Sequence, residues 1–178
     1  HLLIINKPAG MAVHGGSGVS VGVIESLRHA RPEGNRLELV HRLDRGTSGC
    51  LMVSKRRSYL RLLQDALRKP GQIRKHYLAV VHGRWSRKMA QIDQPLMTSS
   101  ISGKERVTRV NGQGKYAVTD FSLLEANDQM SVVRASPRTG RTHQIRVHAR
   151  WARHPLVGDT RYGDRTLDHT SGMEGRLM

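Results

Sequence analysis

Apolar residues fall in short runs bounded by turns along most of this chain, the spacing of strands more than of helices. Leu2-Leu3-Ile4-Ile5 is a buried-strand pattern closed by the turn Asn6-Lys7-Pro8-Ala9-Gly10. A second short strand is expected at residues 11–14, a pair at 37–40 and 50–53 around a polar loop, and another strand at 76–82. Residues 106–110 and 116–126 read as a hairpin joined by Asn111-Gly112-Gln113-Gly114-Lys115, and 130–135 as a strand after the Asn127-Asp128 turn. Three segments have helical spacing instead. Ser20 is expected to cap a helix reaching about residue 30, with Val23, Ile24 and Leu27 on one face. Residues 57–69 carry the stripe Leu60, Leu63 and Leu67 and stop at Pro70-Gly71. Residues 142–153 gather Ile145, Ala149 and Ala152 before His154-Pro155. Residues 86–103 and 158–163 lack periodicity and are expected as loop, and the tail after Arg165 as poorly ordered. Many strands, three helices and no regular βα alternation predict an α+β fold. Its sheet is mixed but mostly antiparallel and flanked by helices, in one domain over the whole chain.

Charge changes this picture. Among 178 residues, Lys and Arg number 30 against 14 Asp and Glu, a formal net charge of +16 spread along the chain. A folded domain this basic repels itself, and the usual reason is a polyanionic partner, nucleic acid first. An anionic membrane surface is second, but no basic amphipathic helix supports it. Aromatic residues make up only 4% and are scattered, which weighs against a single-strand binder built on stacking platforms. Cys50 is the sole cysteine, so neither a disulfide framework nor a multi-cysteine zinc site forms within the chain, and a reducing cytoplasm fits. No signal peptide or apolar run of membrane-spanning length is visible. The sequence opens with His1 directly before a strand pattern, as a fragment would.

Two polar stretches stand out. In the first, Val40-His41-Arg42-Leu43-Asp44-Arg45-Gly46-Thr47-Ser48-Gly49, Asp44 is the only acid between Glu38 and Asp65. Positive charge on either side favours its ionised form, as a nucleophile or an anchor requires. Gly46 to Gly49 reads as a tight turn, with glycine free to take positive φ and the two hydroxyls able to bond nearby backbone. An Asp beside Arg on a loop is also commonly a solvated ion pair. In the second stretch, Thr139-Gly140-Arg141-Thr142-His143-Gln144-Ile145-Arg146, His143 and Arg146 are three apart on the expected helix. Donors over its first turns and the helix N-terminus suit an anion. A plain basic surface helix fits as well. His143 and His148 are five apart, which does not align two metal ligands, and no carboxylate is interleaved. Tyr77, beside Lys75, is by itself an ordinary half-buried strand tyrosine. Basic clusters such as Lys55-Arg56-Arg57 are solvated faces unless something brings them together.

Taken in order, Asn6-Lys7-Pro8-Ala9-Gly10, His41 to Gly49, Lys75-His76-Tyr77-Leu78-Ala79, Gly140 to His148 and His154-Pro155-Leu156-Val157-Gly158-Asp159 have a recognisable form. The chain resembles the RluA family of RNA pseudouridine synthases, most of all the members that act on large-subunit ribosomal RNA. The resemblance covers roughly residues 2 to 165. It implies a pseudouridine synthase fold and isomerisation of uridine to pseudouridine in RNA with no cofactor or metal. It also implies a cytoplasmic monomer whose partner is RNA. A small N-terminal RNA-binding domain and further C-terminal strands, usual in the family, are expected to lie outside this sequence. Asp44 matches the family's essential aspartate, Arg146 the arginine that pairs with it, and Tyr77 the tyrosine that stacks on the base. Arg42 matches the arginine that fills the gap left by an extruded nucleotide. Arg45, Lys55, Arg141, His143 and Gln144 are the further expected RNA contacts. A non-catalytic RNA-binding module would share the basic surface but has no use for Asp44. A metal-dependent nuclease would need clustered acids, which the sequence lacks.

Overall fold

The computed structural model describes residues 1–16, 19–101 and 105–172. The chain divides into two compact units, His1–Ile73 and Arg74–Met178.

In the first unit, β1 (Leu2–Lys7) and β2 (Glu38–Leu39) both pair antiparallel with β3 (Gly49–Ser54), in the order β1-β3-β2. The register sets Leu3 opposite Val53 and Lys7 opposite Gly49. Helices α1 (Val23–His29) and α2 (Arg57–Arg68) complete the unit. Its core is Ile24, Leu37 and Val53, with Leu3, Ile5, Leu27 and Leu39 packed against them. The stripe on α2 lies where its spacing placed it: Leu60 is buried, and Leu63 and Leu67 are half-buried.

Two expectations fail here for a shared reason. Residues 11–14 are not a strand, because the carbonyls of Ala12 and Val13 accept from the N–H groups of Val23 and Ile24, at 2.9 and 3.1 Å. Those are donors that the start of a helix leaves without an internal partner. Nor does Ser20 cap α1. The cap residue is Gly22, where a β-carbon would come within 2.6 Å of the His14 backbone. The Glu25 carboxylate reaches back to accept from the N–H groups of Gly22 and Gly15, at 2.9 and 3.0 Å. In the loop Gly15-Gly16-Ser17-Gly18, which precedes this helix, Ser17 and Gly18 lie outside the described residues.

The second unit holds a four-stranded antiparallel sheet made of β4 (Tyr77–His82), β5 (Gln91–Asp93), β8 (Val118–Ala126) and β9 (Met130–Pro137). Its order is β4-β9-β8-β5. Strands β6 (Leu96–Ile101) and β7 (Glu105–Val110) pair separately. Alternation along β4 sends Ala79 and Val81 inward and leaves Leu78 exposed. These two pack with Trp85, Ile92, Phe121, Val133, Ala135 and Leu156, and with Ile145 and Ala149 of α3 (Gln144–Trp151).

Three corrections follow. Residues 86–103 are not loop throughout, since they contain β5 and β6. Ile92 is the only apolar residue of β5 and Thr-Ser-Ser fills the centre of β6, so neither gives a readable period. The expected hairpin forms its turn but not its pairing. Gly114 N–H bonds the Asn111 carbonyl at 2.8 Å, yet Lys115 then bridges to Leu96, and β7 pairs with β6 while β8 joins the other sheet. The tail beyond Arg165 carries α4 (Arg165–Thr170), capped by Asp164, whose carboxylate accepts from the N–H groups of Thr166 and Leu167. Polar contacts hold that helix: Asp168 accepts from His82 Nε2 and from Gly158 N–H, both at 2.7 Å. An apolar pattern has nothing to show there. Residues 173–178 lie outside the described set.

Candidate active site

Asp44 lies on the connection from β2 to β3, half-buried, at the head of a turn that Thr47 N–H closes on the Asp44 carbonyl at 3.0 Å. The turn is not held as the sequence suggests. Gly46 is not at positive φ; Gly49 is, at 110°, where the chain enters β3. The Thr47 hydroxyl is buried with no hydrogen-bond partner among the described residues. The anchor comes instead from Lys7, at the end of β1. Its side chain is fully buried, and its ammonium donates to the carbonyls of Pro8, Met11 and Arg45 at 2.9, 2.8 and 3.2 Å. Gly10 and Arg45 close the same contact twice: Gly10 N–H donates to the Arg45 carbonyl at 2.8 Å, and Arg45 Nε donates to the Gly10 carbonyl at 2.9 Å. Upstream, Met52 N–H donates to His41 Nε2 at 3.2 Å, tying the start of the motif to β3. The backbone beneath Asp44 is thus fixed on both sides, which sets where its side chain leaves the chain.

Arg146 lies in the first turns of α3, nearly buried. Its Nε and Nη2 donate to the two carboxylate oxygens of Asp159 at 2.6 and 2.7 Å. Asp159 also accepts from the N–H groups of Arg161 and Tyr162, at 3.0 and 3.2 Å. Burial raises the pKa of the Asp159 carboxyl, but the Arg146 guanidinium and those two N–H groups outweigh burial and hold it below the ordinary carboxylate range. The Tyr162 ring lies under the guanidinium, 4.9 Å from its carbon, and the Tyr162 hydroxyl meets His143 Nδ1 at 2.8 Å. His143 takes the left-handed conformation, φ 53°, at the cap of α3.

Behind this face runs a buried polar chain. Gln144 Nε2 donates to the Val118 carbonyl and to Thr119 Oγ1, and its Oε1 accepts from Thr139 Oγ1 and Arg141 N–H. Thr119 meets His148 Nδ1 at 2.9 Å, and His148 Nε2 donates to the Gln94 carbonyl at 3.0 Å. Burial holds the His148 pKa below its ordinary value, so the ring stays neutral as this chain requires.

The structure sorts the remaining candidates. Gln144 is a correction: all four hydrogen-bonding positions of its amide are filled inside the fold, leaving none for RNA. Lys55 is engaged by Glu33 at 3.0 Å. Arg141 Nε donates to the Tyr116 carbonyl, and its side chain is exposed. Arg42 is exposed, and no ion pair ties it down among the described residues. Tyr77 opens β4 opposite Ala135 and packs, half-buried, against the Ala79–Ile145 cluster. Asp44, Arg42, Arg45 and Lys55 belong to the first unit, and Tyr77, Arg141, His143, Gln144 and Arg146 to the second. Sequence reasoning missed Lys7, Asp159 and Tyr162 as functional supports, and gave Lys75 no role beyond flanking Tyr77. Lys75 is half-buried, and burial lowers the pKa of its ammonium. A lysine with no carboxylate nearby in sequence, directly before a proline, was the available sign for Lys7. No group of three or more His, Cys, Asp or Glu is placed to hold a metal among the described residues.

Comparison with known proteins bears on this geometry. Residues 1–151 match the family model described as RNA pseudouridylate synthase. Over 168 residues the chain is 52% identical to the ribosomal large subunit pseudouridine synthase C of Escherichia coli (strain K12), covering 94% of this chain and 52% of that one. It is 50% identical over 167 residues to the protein of the same name from Haemophilus ducreyi (strain 35000HP / ATCC 700724), covering 94% of this chain and 52% of that one. The chain thus spans about half the length of the curated relatives it matches. Among solved structures, human RNA pseudouridylate synthase domain containing 1 superposes with a TM-score of 0.74 at 27% identity, covering 98% of this chain and 71% of that one. Human RNA pseudouridylate synthase domain containing 4 gives 0.70 at 25% identity, with 92% and 66% covered.

Proposed function

The chain belongs to the RNA pseudouridylate synthase family, and on that premise we propose that it isomerises specific uridines of large-subunit ribosomal RNA to pseudouridine, without a cofactor. The observation that carries the reading is the Asp44 turn: a half-buried carboxylate two residues after Arg42 and directly before Arg45, on a backbone fixed by the buried Lys7 ammonium. A surface that only bound phosphates would gain nothing from that acid, since a negative charge weakens the field that attracts RNA.

Asp44 supplies the carboxylate that breaks the glycosidic bond, by attack on the anomeric carbon or by stabilising the sugar as the base departs. The base then turns and rejoins the sugar through its carbon five, which gives up its proton. Tyr77 stacks on the base and is the candidate acceptor of that proton. Arg146 holds the aspartate ionised and oriented. Arg42 fills the stack left by the extruded nucleotide, because the bond to be cut is hidden while the base is stacked. Arg45, Arg141 and His143 contribute phosphate or base contacts, and the protein works in the cytoplasm as a monomer.

Mapping pseudouridines in ribosomal RNA from a strain lacking the gene tests the substrate. The reading expects discrete large-subunit positions to revert to uridine and to be restored by the gene. A large-subunit RNA whose modification pattern is unchanged, with transfer RNA altered instead, would move the substrate class.

A further inference from the structure

Arg146 is gripped from two directions by one short segment. The two oxygens of Asp159 take its Nε and Nη2 in the guanidinium plane, at 2.6 and 2.7 Å. Three residues on, the Tyr162 ring covers the face of the same group at 4.9 Å. Both grips are themselves pinned. Asp159 accepts from the N–H groups of Arg161 and Tyr162, and a side chain at Gly163 would strike the Asp159 carbonyl at 2.3 Å, so the segment closes tightly on itself. The Tyr162 hydroxyl accepts from Thr108 N–H at 3.0 Å and shares a hydrogen bond with His143 Nδ1 at 2.8 Å. Asp159 and Tyr162 are both nearly buried. A bidentate carboxylate fixes the in-plane angle of a guanidinium, and a ring beneath it fixes the tilt. Together they restrict the guanidinium, and Nη1 is the nitrogen that makes neither of these two bonds to Asp159.

We propose that Asp159 and Tyr162 are positioning residues: they aim the Nη1 edge of Arg146 for the proposed reaction. This rests on the reading of Arg146 given above. Arginine on a long flexible stem would otherwise lose much of its precision, and misplacement of a positioning group by about an ångström is enough to cost about 100-fold in rate.

Asp159→Asn keeps the shape, removes the charge and replaces one acceptor with a donor. In the protein carrying this change, kcat for pseudouridine formation should fall about 100-fold while KM for RNA stays within about threefold. The Arg146 Nε–H resonance, slow to exchange in the wild type, should move and exchange fast, with backbone amides elsewhere unchanged. Tyr162→Phe keeps the ring and loses only the hydroxyl, so its kcat should fall less. A folded Asp159→Asn protein with wild-type kcat overturns the proposal. So does a parallel loss of kcat and of folded fraction with an unchanged Arg146 resonance, because that is what a purely structural role would give. If Asp159→Asn does not fold, Asp159→Glu and Tyr162→Phe decide: wild-type kcat in both rejects the positioning role. If the wild-type protein forms no pseudouridine, the reaction reading has failed, and the Arg146 resonance alone still reports whether Asp159 holds the guanidinium.

Discussion

The Asp44 turn and the start of α3 present functional groups by opposite means. Asp44 stands on backbone. A buried ammonium gathers three carbonyls, and Gly10 and Arg45 exchange a reciprocal pair of bonds. None of those bonds is made to the Asp44 side chain. Arg146 is instead held by side chains: a carboxylate in its plane, a ring on its face, and a buried Gln144–Thr119–His148 chain beneath the helix. The first arrangement fixes the backbone from which a side chain projects, whereas the second fixes the side-chain group itself. Buried polar networks are costly when incomplete, so each region should fail in its own way when one member is lost.

Arg146→Ala should have the largest effect on stability. It leaves the Asp159 carboxylate buried without its cation, which costs about 3–5 kcal/mol for a fully buried pair. The sign with pH follows from the lowered Asp159 pKa: the stability due to the pair is present above the ordinary value of 3.8 and is lost as pH falls through the lower folded value. The deficit of the variant, measured by urea denaturation, should therefore be greatest near neutrality and shrink in acid. A deficit independent of pH would show that Asp159 is not the group left stranded.

Lys7→Met should come next, with a loss on the order of 3 kcal/mol, since the carbonyls of Pro8 and Met11 lose a buried donor at about 1–3 kcal/mol each. The Arg45 carbonyl keeps Gly10 N–H. Turnover should fall more than stability requires, because the Asp44 turn loosens. Full activity in a destabilised but folded Lys7→Met protein would mean that the turn does not depend on the ammonium.

His148 gives a smaller effect, visible only with pH. Its folded pKa is lowered, so the unfolded chain binds the proton first. Its contribution is fully present above about pH 6.5 and is lost as pH falls from there through the folded value, at no more than about 1.4 kcal/mol per pH unit for one group. His148→Gln should flatten that part of the pH profile. An unchanged profile would assign the acid sensitivity to another histidine.

Arg42→Ala should leave stability unchanged, because Arg42 is exposed and makes no ion pair among the described residues. RNA binding should weaken alike across sequences, with a log–log salt slope smaller by about one. A slope equal to that of the wild type would remove Arg42 from the phosphate contacts.

The same contrast explains what could be read from the chain. The Asp44 motif and its strand-to-strand setting were legible because turns and strands are local, and Leu60, Ile145 and Ala149 fell where helical spacing put them. The supports were not legible. Lys7 acts on Arg45 from another strand, and Asp159 acts on Arg146 from a stretch without periodicity. Gln144 looked like a surface donor because polarity is visible in sequence and burial is not. Strands β5 and β6 show no readable period, because β5 has one apolar residue and Thr-Ser-Ser interrupts β6, and the turn chemistry at 111–115 specifies a reversal but not a partner strand.

The central claim is that Asp44 is there for chemistry and not for binding. Asn keeps the shape of Asp and removes the charge, so Asp44→Asn should leave the turn intact. The direct measurement is tritium release from carbon-five-labelled uridine in large-subunit ribosomal RNA, with RNA affinity measured on the same two proteins joined to the remaining length of the relatives. Wild type should release label, and Asp44→Asn should release none while binding RNA as tightly or more tightly. Comparable release by both proteins would contradict the role of Asp44, and no release by the wild type from any cellular RNA would contradict the enzyme itself.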